Sequence, residues 1–319
     1  MTGAGGAARP RVLVVAKTTS YQTYVEEQHD ARTTELLARN DPSVRQLLGA
    51  YQAHVATVRE VSEALDGLGV TSRSTTIATM HEVAPNDFDL VITVGGDGTL
   101  LATSHEVGSS TPVLGVNSAP DHSVGFFCGA RPGTVRASVE AAIAGTMPRT
   151  VLSRMQVDLN GVCLNRRVLN DALFCHEVPA ATSRYILTVH RGDGHTLEED
   201  QASSGLWVGP AAGSTAAQRS AGGHILALTS RRIQYVVREP YNPLCKPLVL
   251  SRGTVNERGS IVVRCKTRHA KLFLDGPHVD HVVQLGDVVT MGRSGQPLTV
   301  LGLSRATGRV VLAPGRGAC

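Results

Sequence analysis

"DLVITVGGDGTLLATSHEV", residues 89–107, decides the fold. A short apolar run ends in two glycines, a carboxylate and a third glycine, which is how a buried strand of a parallel sheet hands over to a tight turn. Upstream, "RVLVVAK" (11–17) has the same texture. Between the two runs, Leu36, Leu37, Leu47, Leu48, Tyr51, Val55, Val58, Val61 and Leu65 recur at helical spacing within residues 24–66. Asp41-Pro42 divides that stretch into two helices, because the residue before a proline avoids helical backbone. "VTSRSTTIA" (70–78) and "PVLGV" (112–116) supply further strands. The alternation predicts an α/β domain over 11–148, an open and mostly parallel sheet covered by helices.

Beyond about residue 148 the pattern changes. Short alternating runs such as "RYILTVHRGD", "GSIVVRCKT" and "HVVQLGDVVTMG" are separated by Asn-Gly, Gly-Asp and Asp-Gly turns, and predict an antiparallel, β-rich, sandwich-like domain over 149–305. Residues 1–10 read as a flexible tail and 306–319 as a C-terminal tail able to return to the first domain.

Composition narrows the function classes. A chain of 319 residues exceeds what one core usually holds, and 42% hydrophobic with 18% charged residues is an ordinary globular balance. Lysine plus arginine (31) barely exceeds aspartate plus glutamate (27), so nucleic acid is not an expected partner. No apolar run approaches the ~20 residues of a membrane span, so no membrane partner is expected. The six cysteines form no CxxC pair, which fits reduced thiols in the cytoplasm. His278 with His281, and His190 with His195, lack the pattern of a third ligand and read as turn or surface residues.

Several places can carry chemistry. Gly95, Gly96 and Gly98 let the backbone approach a ligand, and freed amides there can cradle phosphate oxygens, with a helix starting near Thr99. Asp97 repels phosphate, so it makes sense there only as a magnesium ligand or as the acceptor of a proton from a hydroxyl being phosphorylated. The alternative is a tight turn that caps the helix. No GxxxxGK[ST] loop occurs. In "SSGLWVGPAAGSTAAQRSAGGH" (203–224), Ser214 and Thr215 read as helix caps, and the surrounding alanines leave room for a flat ring. Asn170-Asp171 interrupts a strand-like run, where such side chains bind sugar hydroxyls or an adenine edge, or simply form a turn. Asp275-Gly276 reads in isolation as a hairpin turn.

"VGGDGTLL" followed in the β-rich half by "GPAAGSTAAQRSAGG" resembles the NAD kinase family, over roughly residues 11–305. "LGVNSAPDHSVGFF", "VLNDALFCH" and "QYVVREPYNP" add to the resemblance. It implies transfer of a phosphoryl group from ATP, with Mg2+ or another divalent cation, to the 2′-hydroxyl of the adenosine ribose of NAD or NADH. It also implies a homodimer or homotetramer. By motif match Asp97 is the presumed base, and Gly95, Gly96, Gly98 and Thr99 surround phosphates. Asn170, Asp171, Ser204, Ser214, Thr215 and Ala216 line the dinucleotide site, and Asp275 and Gly276 lie near phosphates or nucleotide. Alternatives are a lipid or sphingoid-base kinase built on the same GGDG half, and a nucleotide-binding regulator with a decayed site.

Three departures accompany the likeness. Ser204 stands where the bacterial pattern has an aspartate, Ala217 where an aromatic is common, and Asp171 where the pair usually carries glutamate. "SSGL", "AAGSTAA" and "NDALFCHEVPAATSRY" resemble most the NADH-kinase-like branch of plants and mitochondria. Loss of a carboxylate near the nicotinamide end predicts that NADH is accepted at least comparably with NAD.

Overall fold

The computed structural model describes residues 10–241 and 248–303. The two tails, except Pro10, and Cys245 and Cys319 lie outside the described residues. The chain forms two compact units: one reaches Thr150 and resumes at Thr299, and the other is Val151–Leu298.

In the first unit, the strands β1 (Arg11–Ala16), β2 (Thr71–Thr76), β3 (Leu90–Gly95), β4 (Val113–Asn117), β5 (Cys128–Ala130) and β6 (Arg149–Leu152) alternate with helices. These are α1 (Ala31–Ala38), α2 (Leu47–Gly67), α3 (Asp97–Ser104) and α4 (Val135–Ile143). The Asp30 carboxylate caps α1 by accepting from the Thr33 amide at 2.7 Å. The helical stretch breaks around Asp41-Pro42, as its sequence implies. β3 and β4 are buried throughout, which is why they read as continuous apolar runs.

Strands β2, β1, β3 and β4 lie in that order, with parallel pairing. Val61, Ala64 and Leu65 of α2 and Val135 and Val139 of α4 pack with Val12, Val14, Leu90, Ile92 and Val94 on one face. Side-chain alternation turns Leu13 and Val15 to the opposite face. The chain leaves β1 toward β2 and leaves β3 toward β4, in opposite directions across the sheet. A topological switch point therefore lies between β1 and β3, and open α/β sheets bind ligands beyond the carboxyl ends of such strands.

The second unit contains β7 (Met155–Leu159), β8 (Val162–Val168), β9 (Ala172–His176), β10 (Ser183–His190), β11 (Thr196–Ser203) and β12 (Gly205–Pro210). It continues with helix α5 (Ala217–Ser220), then β13 (Ile233–Arg238), β14 (Arg252–Val255), β15 (Ser260–Cys265), β16 (Ala270–Leu274), β17 (Asp280–Val283) and β18 (Val288–Arg293). Two six-stranded antiparallel sheets result, ordered 11-10-15-18-7-8 and 14-13-12-9-16-17. Tyr185, Leu187, Ile261 and Val263 of one sheet share a buried core with Phe174, Leu206, Val208 and Leu272 of the other, so the unit is a sandwich.

The last strand, β19 (Leu298–Leu301), lies between β4 and β6 in the first sheet. The chain thus rejoins the first unit before residue 305. "LTVLGL" is a short apolar run that either kind of sheet accepts, so its pattern alone could not assign it. Among the described residues, no helix is long and apolar enough to cross a membrane.

Candidate functional site

The GGDG turn follows directly from packing at the end of β3. A Cβ on Gly95 would stand 2.1 Å from the Thr99 hydroxyl oxygen, and one on Gly96 would stand 2.5 Å from that of Ser123. Gly95 is required, since the Thr99 Cβ also lies within 2.8 Å, whereas a side chain at Gly96 would make the Ser123 hydroxyl turn away. A Cβ on Gly98 would meet open space, and Gly98 is exposed. Helix α3 begins at Asp97 rather than near Thr99, with Gly96 as its cap residue and no side-chain cap. Thr99 is buried against Gly95, so its side chain serves packing, and the outward part of the turn is Gly96, Asp97 and Gly98.

Asp97 is fixed from a distant part of the chain. Its Oδ2 accepts from the Phe126 amide at 2.9 Å and its Oδ1 from the Phe127 amide at 2.8 Å. Each oxygen retains a further lone pair for a ligand hydroxyl. The loop that supplies those amides is itself tied: Asn117 donates to the Ser123 carbonyl at 2.9 Å, and Gly125 adopts a φ of 62° against the Asn117 side chain. Burial, followed by the charge of Asp97, pushes the nearby Cys128 thiol up to about 12, which keeps it protonated.

The ends of β3 and β4 are tied to helix α2 through Ser118. His54 is buried, and its Nδ1 lies 3.0 Å from the Ser118 hydroxyl. The Ser118 amide in turn donates to the Gly95 carbonyl at 2.9 Å. Burial, then the Lys17 charge, lowers the His54 pKa to about 4, so the ring is neutral at ordinary pH.

A second cluster forms within the sandwich. Leu169, Asn170 and Asp171 link β8 in one sheet to β9 in the other. The Asp275 carboxylate gathers the amides of that link, accepting from Leu169 at 2.8 Å, Asn170 at 2.6 Å and Asp171 at 3.0 Å. Asp275 has a φ of 51° and Gly276 one of 117°, in the hairpin between β16 and β17. The "GPAAGSTAA" segment presses on the same link: a Cβ on Gly213 would fall 1.7 Å from the Asn170 carbonyl oxygen, and one on Gly209 2.2 Å from it. Gln218 donates to that oxygen at 3.3 Å. Asn170 Oδ1 is shut off from solvent and has no hydrogen-bond partner among the described residues.

Ser214 and Thr215 do not cap a helix. Ser214 is buried, donates to the Ala211 carbonyl at 2.6 Å and accepts from the Leu226 amide at 2.9 Å. Its hydroxyl is consumed inside the unit. Thr215 is half-buried and only weakly bonded to the Ala212 carbonyl, at 3.5 Å, which leaves it and Ala216 as the accessible part of the segment. Ser204 sits at the corner where the chain passes from β11 to β12, with the Arg238 guanidinium donating to its carbonyl at 3.5 Å.

Burial, then the charge of Asp275, raises the Asp171 pKa from 3.8 to about 7. Since the folded value lies above the unfolded one, the favourable protonated state is fully present below pH 4 and is lost as pH rises through 7. We expect the melting temperature of wild-type protein, measured against Asp171→Asn without dinucleotide, to fall by several degrees from pH 5 to pH 8. Parallel curves for the two proteins would contradict a buried, titrating Asp171.

The sequence-predicted residues fall into these two clusters. Gly95, Gly96, Asp97, Gly98 and Thr99 belong to the first unit, and Asn170, Asp171, Ser204, Ser214, Thr215, Ala216, Asp275 and Gly276 to the second. Sequence reasoning missed Lys17, His54, Asn117, Ser123, the amides of Phe126 and Phe127, and Gln218. "LGVNSAPDHSVGFF" was the one available signal for the middle members of that group.

Comparison with known proteins identifies the family. Residues 8–147 match the model of the ATP-NAD kinase N-terminal domain. The chain is 37% identical over 232 residues to the "Probable NADH kinase" of Oryza sativa subsp. japonica, covering 68% of this chain and 71% of that one. It is 35% identical over 231 residues to the NADH kinase of Arabidopsis thaliana, covering 67% and 73%. Among solved structures, an NAD kinase from Archaeoglobus fulgidus in complex with ATP has a TM-score of 0.63 at 20% identity, over 91% of this chain and 92% of that one. Yeast NADH kinase complexed with NADH also gives 0.63, at 15% identity, over 94% and 85%. With the α/β unit followed by an antiparallel sandwich, and with a relative this similar over most of its length, the chain belongs to the NAD kinase family.

Proposed function

We propose that this protein transfers the γ-phosphoryl group of ATP to the 2′-hydroxyl of the adenosine ribose of NAD or NADH. The observation that carries this reading is the GGDG turn at the switch point of the parallel sheet, with Asp97 held by two amides so that its remaining lone pairs can meet a hydroxyl. The ribose oxygen attacks the γ-phosphorus, the bond to the ADP oxygen breaks, and the hydroxyl proton passes to Asp97. Positioning and charge carry the catalysis. The buried and unpaired Oδ1 of Asn170, beside Asp171, supports a polar donor such as a sugar hydroxyl or an adenine amine in the second cluster.

Mg2+ fits as an ion delivered with ATP. Among the described residues no group of three or more His, Cys, Asp or Glu could hold a metal, and the free lone pairs of Asp97 are the protein oxygens at the turn suited to it. When bound, the ion neutralises phosphate charge.

The assay is purified protein with Mg-ATP and either NAD or NADH, the product scored by an NADP(H)-specific dehydrogenase. Tight dinucleotide binding without turnover would favour a regulator, and turnover of a lipid alone would favour a lipid kinase. NADH acceptance is supported by Ser204 in place of a carboxylate, with Arg238 making that corner electropositive. Ser204→Asp should raise the NAD/NADH ratio of kcat/KM about fivefold, the size of a ~1 kcal/mol charge interaction. An unchanged ratio would count against it.

We also propose a homodimer or homotetramer. On the outer face of the second sheet, the partly exposed Trp207, Leu173 and Phe273 stand in one cross-strand row, with Arg238 over Trp207 and Lys271 over Phe273. An apolar row of this length is what an association face offers; a monomer by light scattering at assay concentration would exclude it. The free thiols of Cys128, Cys163, Cys175 and Cys265 support a reducing, cytoplasmic compartment, which cell fractionation tests.

A further inference from the structure

We propose that Lys17 is a catalytic residue whose ammonium group binds the transferring phosphoryl oxygens of the donor; this rests on the reading of the GGDG turn as the donor-phosphate site. Lys17 is the first residue beyond β1, and its amide continues the parallel ladder by donating to the Val94 carbonyl at 3.0 Å. It therefore stands beside Gly95, so that Lys17 and the GGDG turn flank the switch point between β1 and β3.

Helix α3, which begins at Asp97, packs against β1 and β3. Lys17 thus stands at the carboxyl end of β1, the same end of the sheet at which the turn follows β3.

Its electrostatic situation calls for an anion. Lys17 is half-buried, and burial holds its pKa below the usual lysine range. No carboxylate among the described residues forms an ion pair with it. A cation taken partly out of water without a counter-charge is unfavourable until an anion arrives. The phosphoryl group at the neighbouring turn is such an anion, and its charge is what a phosphoryl-transfer site must stabilise.

The position is also rigid. His54, buried and neutral, bonds the Ser118 hydroxyl, Ser118 holds the Gly95 carbonyl, and the Lys17 amide holds the neighbouring Val94 carbonyl. The Lys17 backbone and the turn are therefore both anchored to the end of β3, and backbone anchoring of this kind helps keep a charged group in place for a transition state.

The test is Lys17→Met and Lys17→Arg, with ATP and NADH varied separately and melting temperatures recorded. Lys17→Met should lose about 10²-fold in kcat/KM for ATP, the cost of one preorganised charge contact, with KM for NADH unchanged to within about twofold. Lys17→Arg should recover at least about tenfold of that loss, because charge and not shape is at issue. Should Lys17→Met fail to fold, Lys17→Gln is read by the same criteria. Activity of the neutral variant within about threefold of wild type, a loss falling equally on NADH, or no recovery by arginine would overturn the proposal. Wild-type protein inactive on both dinucleotides would instead remove the reading of the turn on which it rests.

Discussion

Replacing Asp97 by asparagine should lower kcat by about 10³-fold, within the range that removal of a general base produces. The variant keeps the shape of the side chain but exchanges one acceptor oxygen for an NH2 group. Two backbone amides, those of Phe126 and Phe127, approach the carboxylate at 2.9 and 2.8 Å, so one of them would then face another donor. That mismatch costs about 1–3 kcal/mol and should lower the melting temperature by a few degrees. The residues proposed to bind dinucleotide, in the second cluster, are untouched, so NADH affinity, read by its fluorescence, should stay within about threefold. A drop in melting temperature with turnover retained would confine Asp97 to holding the 117–127 loop and remove it from the base role.

The second large effect is expected at Asp275. Asp275→Ala removes the acceptor for three amides, places alanine at a φ of 51°, and should destabilise the sandwich unit by about 3 kcal/mol, or about 10 °C. KM for the dinucleotide should rise about tenfold or more, since Asn170 and Asp171 lose the clasp that orders them. Asp275→Gly separates the two causes: it relieves the backbone strain and restores no acceptor. If Asp275→Gly matched wild type in both melting temperature and KM, the clasp would have no part in ordering the link. Removing the Asp275 charge should also lower the pKa of Asp171, though burial, the larger cause, stays in place.

Both effects mark the boundary of what could be read from residues alone. The parallel strands were legible because β3 and β4 are buried on both faces and so are apolar at every position. Gly95 and Asp97 were legible because glycine and aspartate at the end of such a run have few structural explanations. The partners of Asp97 were not, because Phe126 and Phe127 act through backbone amides, which every residue but proline carries. Asp275 was legible only as a turn, since its three partners lie more than 100 positions earlier. Ser214 was read as facing a ligand and proves to be bonded inward, because a serine hydroxyl serves either purpose and only the fold decides. Lys17 gave no signal, as a lysine after a strand is ordinarily a solvated end.

The placement of β19 sets an order on biosynthesis. Val300 pairs with Val113 in the interior of the first sheet, between strands completed by residue 152. While the ribosome is still adding the sandwich, β5 covers only Gly115 and Val116 of β4 on that side, and the backbone around Val113 stands open to other chains. The sandwich is one uninterrupted segment and can close as soon as Leu298 emerges, whereas the GGDG-bearing unit is finished only a few residues later. The half of the molecule that begins synthesis is therefore the half that completes folding last, and a ribosome stalled before residue 300 would release a chain with an incomplete sheet beside its GGDG turn.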